Sequence, residues 1–234
     1  MYHSLLKTGE RYTKTDVAYL ASGGFWLVLG QVGAAIIAFV LSLIVARYVP
    51  ANIYGSYKYI LAIAAIVGAF SLTGLGTTLV RAVAVGNDSA LRTSFRTALL
   101  ASIPMLLGFL GISGYYFLQG DQTLGVAFLI AGVATLTLNA STLFNAFWNG
   151  KKKFAKYTLF WTIGNVVSTG CTIVAMLLTD NVVVLVATYF ISSALINLIL
   201  YFTTLRSVSP YVEAPPQSKD ALHLSVINFL NTVS

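Results

Sequence analysis

Apolar residues in this chain do not alternate with polar ones along its length. They run on for about twenty positions at a time, and this happens six times, at roughly 23–46, 58–80, 97–118, 124–148, 157–178 and 182–204. The hydrocarbon core of a bilayer is crossed by about 20 apolar residues in a helix. Lipid offers the backbone no hydrogen-bond partner, so a spanning segment has to bond to itself, as a helix does. The pattern therefore predicts an all-α, polytopic transmembrane helical bundle. Its parts are a tail over 1–22, a six-helix lobe over 23–204, a linker over 205–221 and the start of a seventh helix over 222–234. That last stretch, LHLSVINFLNTVS, turns apolar at Leu222 and is too short to cross a bilayer, so the chain is expected to be a fragment.

Composition agrees with a membrane setting. Hydrophobic residues make up 57% and charged residues 9%, against about 25% charged in an ordinary soluble domain. So few charges could not cover the surface of a soluble domain of this length. The net charge of +7 suggests nucleic acid only at first sight. The basic residues flank the apolar runs, and no basic helix or aromatic-basic motif of a nucleic-acid binder is found; no nucleic-acid partner is expected. Cys171 is the single cysteine and His3 and His223 lie far apart, so neither an internal disulfide nor a metal site is expected. No cofactor is expected. The first apolar run exceeds the 7–15 residues of a signal-peptide core and no small-residue cleavage site follows it, which predicts a retained span.

The basic residues fall on one side. Lys7, Arg11 and Lys14 precede the first span. Arg81, Arg92 and Arg96 flank the second gap, Lys151, Lys152, Lys153 and Lys156 the fourth, and Arg206 and Lys219 the sixth. The other side has Arg47 and Lys58, with only Asp121 and Asp180 in the third and fifth gaps. By the positive-inside rule the N-terminus and the sixth gap are cytoplasmic, which places the chain in the cytoplasmic membrane. The run KKKFAK reads as a loop that sets orientation, with contact to anionic lipid headgroups as the alternative. Aromatic residues such as Trp26, Tyr54, Tyr116, Trp148, Trp161 and Tyr201 cluster near the span ends, where amphipathic rings prefer to sit.

Helices in lipid associate through close packing and polar contacts. Gly30, Ala34, Ala38, Ser42 and Ala46 recur every four residues and form a small-residue row for a neighbouring helix. Gly108, Gly111 and Gly114 follow Pro104 in the third span, and the proline predicts a fixed kink there in preference to a hinge.

Two spans carry one-sided polar stripes. Thr158, Thr162, Asn165, Thr169 and Thr172 share an arc of roughly 80°, and Ser168 flanks it. Thr135, Asn139, Thr142, Asn145 and Asn149 share roughly 120°. Polar faces in a bilayer turn toward protein or water. Such residues either bond neighbouring helices or together line a hydrophilic cavity. Hydroxyls and amides suit a polyol, whereas a small cation would favour carboxylates, and none lies deep in a span. Arg47 and Arg81 close the first and second spans; each either snorkels to the interface or captures phosphate through its forked donors.

The run ARYVPANIYGSYKYI (46–60) resembles the junction of helices one and two in polysaccharide flippases. GLGTTLVRAVA (74–84) resembles the end of their helix two, and NAFWNGKKKFAKY their helix-four end and basic loop. These proteins belong to the multidrug/oligosaccharidyl-lipid/polysaccharide exporter superfamily, and the resemblance follows the chain in helix order. It implies a flippase for lipid-linked oligosaccharides, built from two lobes of six helices around a central cavity. This chain matches the N-terminal lobe alone, so a missing C-terminal lobe or a second polypeptide is the implied partner, beside membrane lipid and a lipid-linked glycan. Arg47 and Arg81 would meet pyrophosphate or acidic sugars, while Asn139, Thr142, Asn145, Thr162, Asn165 and Thr169 would contact the sugars.

Three other readings compete. An integral-membrane enzyme acting on lipid-linked sugars would need an acid, base or nucleophile, yet the acidic residues lie outside the span cores and no His falls in the six spans. A drug/cation antiporter of the same superfamily would need intramembrane carboxylates. A small scaffolding subunit is opposed by the polar stripes. The expected function is transport, without enzymatic activity. Protease mapping of sealed vesicles is expected to find the third and fifth connectors on the outer face; cleavage of either from the inner face would overturn this topology.

Overall fold

The computed structural model of the chain describes residues 17–69 and 74–208. Within them the order is α1 (Val17–Tyr48), α2 (Ala51–Ala69), α3 (Gly74–Ala84), α4 (Ala90–Ala101), α5 (Ile103–Leu118), α6 (Gln122–Ser141), α7 (Leu143–Gly150), α8 (Phe154–Leu178) and α9 (Val182–Leu205). No strand occurs among the described residues. Among the described residues five stretches are long and apolar enough to cross a membrane: Gly24–Tyr48, Ala90–Leu118, Gln122–Gly150, Phe154–Leu178 and Val182–Leu205. The chain is thus an all-α, multi-pass helical bundle.

The expected second span, 58–80, takes a different form. It is carried by α2, which begins earlier at Ala51, and by α3, which runs to Ala84. Polar residues in the opening turns of α2 (Asn52, Tyr54, Ser56 and Lys58) dilute its hydropathy. The expected seventh helix and the tail over 1–16 lie outside the described residues.

Two spans break near mid-depth. Between α4 and α5 the chain turns at Ser102, whose N–H reaches the carbonyls of Ala98 at 3.0 Å and Leu99 at 3.2 Å. Its Oγ also donates to Ala98 O at 2.8 Å. Pro104, in the first turn of α5, has no N–H to offer the preceding turn, and α4 and α5 part at the residue before that turn. Between α6 and α7 the chain turns at Thr142, whose Oγ1 donates to Asn139 O at 3.0 Å. Asn145 N then bonds Thr142 O at 3.0 Å, a three-residue step that tightens the helix.

Packing divides into two apolar clusters. One joins Tyr57, Ile60, Phe109, Phe128, Leu185 and Phe190. The other joins Leu79, Leu91, Phe144, Phe147, Trp148 and Tyr201. The second cluster lies at the end rich in lysine and arginine. There Lys151 Nζ pairs with Asp88 Oδ1 at 2.6 Å, tying the α3–α4 turn to the α7–α8 turn. Trp148 Nε1 donates to Thr204 Oγ1 at 3.0 Å, and Phe95 stacks on Tyr201 with ring centroids 4.3 Å apart. Trp148 and Tyr201 are therefore buried between helices and do not stand free at an interface. The α7–α8 turn closes with Lys152 at φ 57° and a bond from Lys153 N to Trp148 O at 3.0 Å, the pattern that caps a helix through a left-handed residue.

At the opposite end the hydroxyls of Tyr59 and Tyr116 are 2.5 Å apart, and Ser113 Oγ donates to Gly125 O at 2.7 Å. Helix α1 lies at the edge of the bundle and packs on α8. Of its small-residue row, Gly30 is buried and Ala34 half-buried, while Ala38, Ser42 and Ala46 are exposed. A Cβ at residue 30 would touch Thr158 Cγ2 at 3.0 Å, so the close approach uses only the first part of the row. Large apolar side chains such as Phe39, Leu43, Leu107, Leu177 and Ile199 point outward, as a lipid-facing surface requires.

The tightest helix contact gives a test. A Cβ at Gly132 of α6 would lie 2.6 Å from Phe109 Cβ of α5, and Phe109 is fully buried. Gly132→Ala is expected to lower stability by about 1–3 kcal/mol. Gly111→Ala, whose Cβ meets nothing within 4 Å, is expected to be neutral or stabilising by up to about 1 kcal/mol. Thermal unfolding of both variants in detergent checks the contrast.

Candidate functional site

Asparagine, serine and threonine in the middle of a span have no water to bond. The backbone one turn back is the nearest acceptor, and the described residues use it repeatedly. Asn165 Nδ2 donates to Trp161 O at 2.8 Å, and Asn197 Nδ2 to Ser193 O at 2.7 Å. Thr172 Oγ1 donates to Ser168 O at 2.8 Å, and Thr135 Oγ1 to Ala131 O at 2.5 Å. This leaves the oxygen ends of Asn165 and Asn197 without a donor among the described residues.

Both asparagines line a cavity of about 290 Å³, open on one side, between α6, α7, α8 and α9. Its polar lining is Thr142 and Asn145, then Asn165, Ser168 and Thr169 of α8, then Ser193 and Asn197 of α9. Trp161 and Tyr189 supply aromatic walls. Asn165 and Ser193 stand near the middles of α8 and α9, so the cavity lies midway along those helices. A second cavity of about 280 Å³ lies on the other side of the α6–α7 break, lined by Leu75, Gly76, Ser102, Asn139, Thr142 and Asn145 among others. Thr142 and Asn145 border both. Both helix breaks therefore face this second cavity.

Asn145 stands between the two cavities and borders both. Its Oδ1 is buried and accepts no hydrogen bond from the described residues. A buried acceptor left in this state carries a desolvation penalty of about 1–3 kcal/mol, and residues that carry one are candidates for binding a ligand donor. Asn139 points its amide at the sulfur of Met105, 3.2 Å away, a weak acceptor that leaves this amide under-used.

The residues expected from the two polar stripes thus divide. Asn139, Thr142, Asn145, Asn165 and Thr169 line the cavities. Thr162 is half-buried on α8 and lines neither. Thr158 leaves the stripe altogether, donating to Trp26 O of α1 at 3.1 Å, and Asn149 is exposed. Gln31 borders a separate groove of about 150 Å³ between α1 and α8, with Thr158 and Trp161. Arg47 and Arg81 are exposed at the last turns of α1 and α3, and neither lines either of these cavities or the α1–α8 groove. Arg47 lies over the ring of Tyr48 at 5.7 Å. Among the described residues no group of histidine, cysteine or acidic side chains is arranged to hold a metal.

Sequence reasoning missed the third wall. Ser193 and Asn197 sit one turn apart in ISSALIN of α9, a two-residue polar stripe in a strongly apolar span. That short repeat was the available signal.

The model of a family described as "Polysaccharide biosynthesis protein" matches residues 20–230 of the chain. Among curated proteins and among solved structures no match was found.

The unpaired acceptor separates stability from ligand contact. Asn145→Leu removes a buried oxygen without a bond and fills part of both cavities. It is expected to leave thermal stability in detergent unchanged or raised, by up to about 1–3 kcal/mol. Asn197→Leu, whose amide is bonded within its helix, is expected to gain less.

Proposed function

Because the chain belongs to the polysaccharide biosynthesis protein family, we propose that it is a flippase lobe that moves lipid-linked oligosaccharide precursors across the cytoplasmic membrane. The observation that carries this reading is the cavity between α6, α7, α8 and α9, midway along the helices of a multi-pass bundle and lined by amides, hydroxyls and two aromatic rings. Its free ends are mainly acceptors, the oxygens of Asn145, Asn165 and Asn197. A sugar presents hydroxyl donors to such a lining and an apolar ring face to Trp161. Neutral groups give up little free energy when a neutral polyol replaces water.

The lining has no carboxylate, imidazole or thiol, which supports passage of a substrate over chemistry on it. Its carrier tail would stay in lipid, and its phosphates at headgroup depth. Arg81 stands at the basic end and Arg47 at the other, so each would meet the phosphates on one face. The excess of lysine and arginine at one end supports an N-terminus in the cytoplasm. The lipid-facing sides of α1 leave room for a second lobe or polypeptide to complete the path.

The test is a translocation assay on the membrane-embedded protein with a lipid-linked oligosaccharide. Two hydrogen bonds of about 0.5–1.5 kcal/mol each are removed in the double variant Asn165→Leu/Asn197→Leu, and flux is expected to fall roughly tenfold or more. Arg47→Ala and Arg81→Ala are each expected to slow flux. Wild-type flux in the double variant would overturn the cavity reading, and release of free glycan from the carrier would favour an enzyme instead.

A further inference from the structure

The two cavities beside the α6–α7 break differ in chemistry. The one of about 290 Å³ is lined mostly by polar groups and two aromatic rings. The one of about 280 Å³ sets a polar wall against an apolar one. Its apolar wall is Leu75, Gly76, Ala98, Ala101, Leu143 and Ala146, most of them small. Its polar wall is Ser102, Asn139, Thr142 and Asn145, and no charged side chain lines it.

The hydrogen-bonding capacity of that polar wall follows atom by atom. Ser102 Oγ gives its proton to Ala98 O at 2.8 Å, and Thr142 Oγ1 gives its own to Asn139 O at 3.0 Å. Both hydroxyls have only lone pairs left to offer. The two amides are less committed. Asn139 Nδ2 meets the Met105 sulfur at 3.2 Å, and a thioether is a weak acceptor. Asn145 makes no side-chain hydrogen bond among the described residues, and its Oδ1 is buried.

A ligand that satisfies this lining brings a donor for Asn145 Oδ1, an acceptor for the amide hydrogens and an apolar end for the small-residue wall. A hydroxyl brings the donor but sets a polar group against the apolar wall. An ammonium would find no carboxylate to meet its charge. A phosphate would set its oxygens against Asn145 Oδ1, acceptor against acceptor. An acetamido group is neutral and carries an N–H, a carbonyl and a methyl side by side.

We infer that this second cavity is a subsite for the acetamido group of an N-acetylated sugar. The N–H donates to Asn145 Oδ1, the carbonyl accepts from Asn139 Nδ2, and the methyl lies against Gly76, Ala98 and Ala101. Thr142 and Asn145 border the neighbouring cavity as well, so a sugar ring held there presents its acetamido arm at the shared wall. The inference rests on the transport reading for the sugar itself and adds which sugar is preferred.

Monosaccharide binding to the whole chain in detergent tests it, by titration and saturation-transfer NMR with N-acetylglucosamine, glucosamine and glucose. N-acetylglucosamine is expected to bind roughly tenfold more tightly than glucose, the effect of two further hydrogen bonds. Glucosamine is expected to bind no more tightly than glucose, and the acetyl methyl to take up more saturation than any ring proton. Asn139→Leu is expected to weaken N-acetylglucosamine several-fold. Gly76→Leu keeps both amides and fills the apolar wall. A Cβ at residue 76 meets nothing within 4 Å, so α3 accommodates the change, and the preference for N-acetylglucosamine over glucose is expected to vanish. Equal affinity of the wild type for N-acetylglucosamine and glucose overturns the subsite and leaves the sugar reading standing. A preference that survives in both variants overturns the subsite too. If none of the probes binds, the subsite and the sugar reading fall together.

Discussion

Hydrocarbon offers no hydrogen-bond partner, and the organisation of this bundle follows from that constraint. Every amide and hydroxyl within a span must be met by its own helix, by another helix or by something held in a cavity. Most of the described hydroxyls take the first course and bond the carbonyl three or four residues back. A few take the second, such as Ser113 to Gly125 and Trp148 to Thr204. The oxygen ends of Asn145, Asn165 and Asn197 take neither among the described residues, and the three side chains line one cavity between α6, α7, α8 and α9. Polar groups in a membrane are costly to leave unmet, so their gathering in one place is the feature that sets this region apart from the rest of the bundle.

That gathering is possible because the apolar packing is divided. One cluster binds α2, α5, α6 and α9 toward the end bearing Tyr59 and Tyr116; the other binds α3, α4, α7 and α9 toward the basic end. Helix α9 contributes large side chains to both, through Leu185 and Phe190 in one and Leu200 and Tyr201 in the other. The helix break at Ser102 falls between the two clusters, Ala98 belonging to one and Met105 to the other, whereas the break at Thr142 lies inside the second, between Ala140 and Leu143. Backbone irregularity at membrane depth is tolerated where it borders a polar cavity, and both breaks do so.

Electrostatics distinguishes the two ends of the bundle. The end with Asp121 and Asp180 uses an aspartate and an asparagine to cap α6 and α9, so its few polar groups are occupied locally. The basic end spends its one described carboxylate on Lys151 and leaves arginines to face the headgroup layer. Cation–ring contacts at Trp148 anchor two lysines there and cover an otherwise apolar indole.

The sequence alone determined the class of fold, because span length and the scarcity of charge are dictated by the bilayer and need no knowledge of neighbours. It also determined most of the polar positions on α6 and α8, since 3.6-residue spacing fixes which residues share a face. Tertiary structure decided where each face points. Thr158 and Asn165 share a stripe, yet Thr158 bonds α1, which lies against α8 at Gly30, and Asn165 lines the cavity. The third wall, Ser193 and Asn197, depended on α9 packing against both α6 and α8, and two polar residues in an apolar span do not announce that. Pairings such as Phe95 with Tyr201 lie beyond any sequence pattern, since residues more than a hundred positions apart meet only when the helices are assembled.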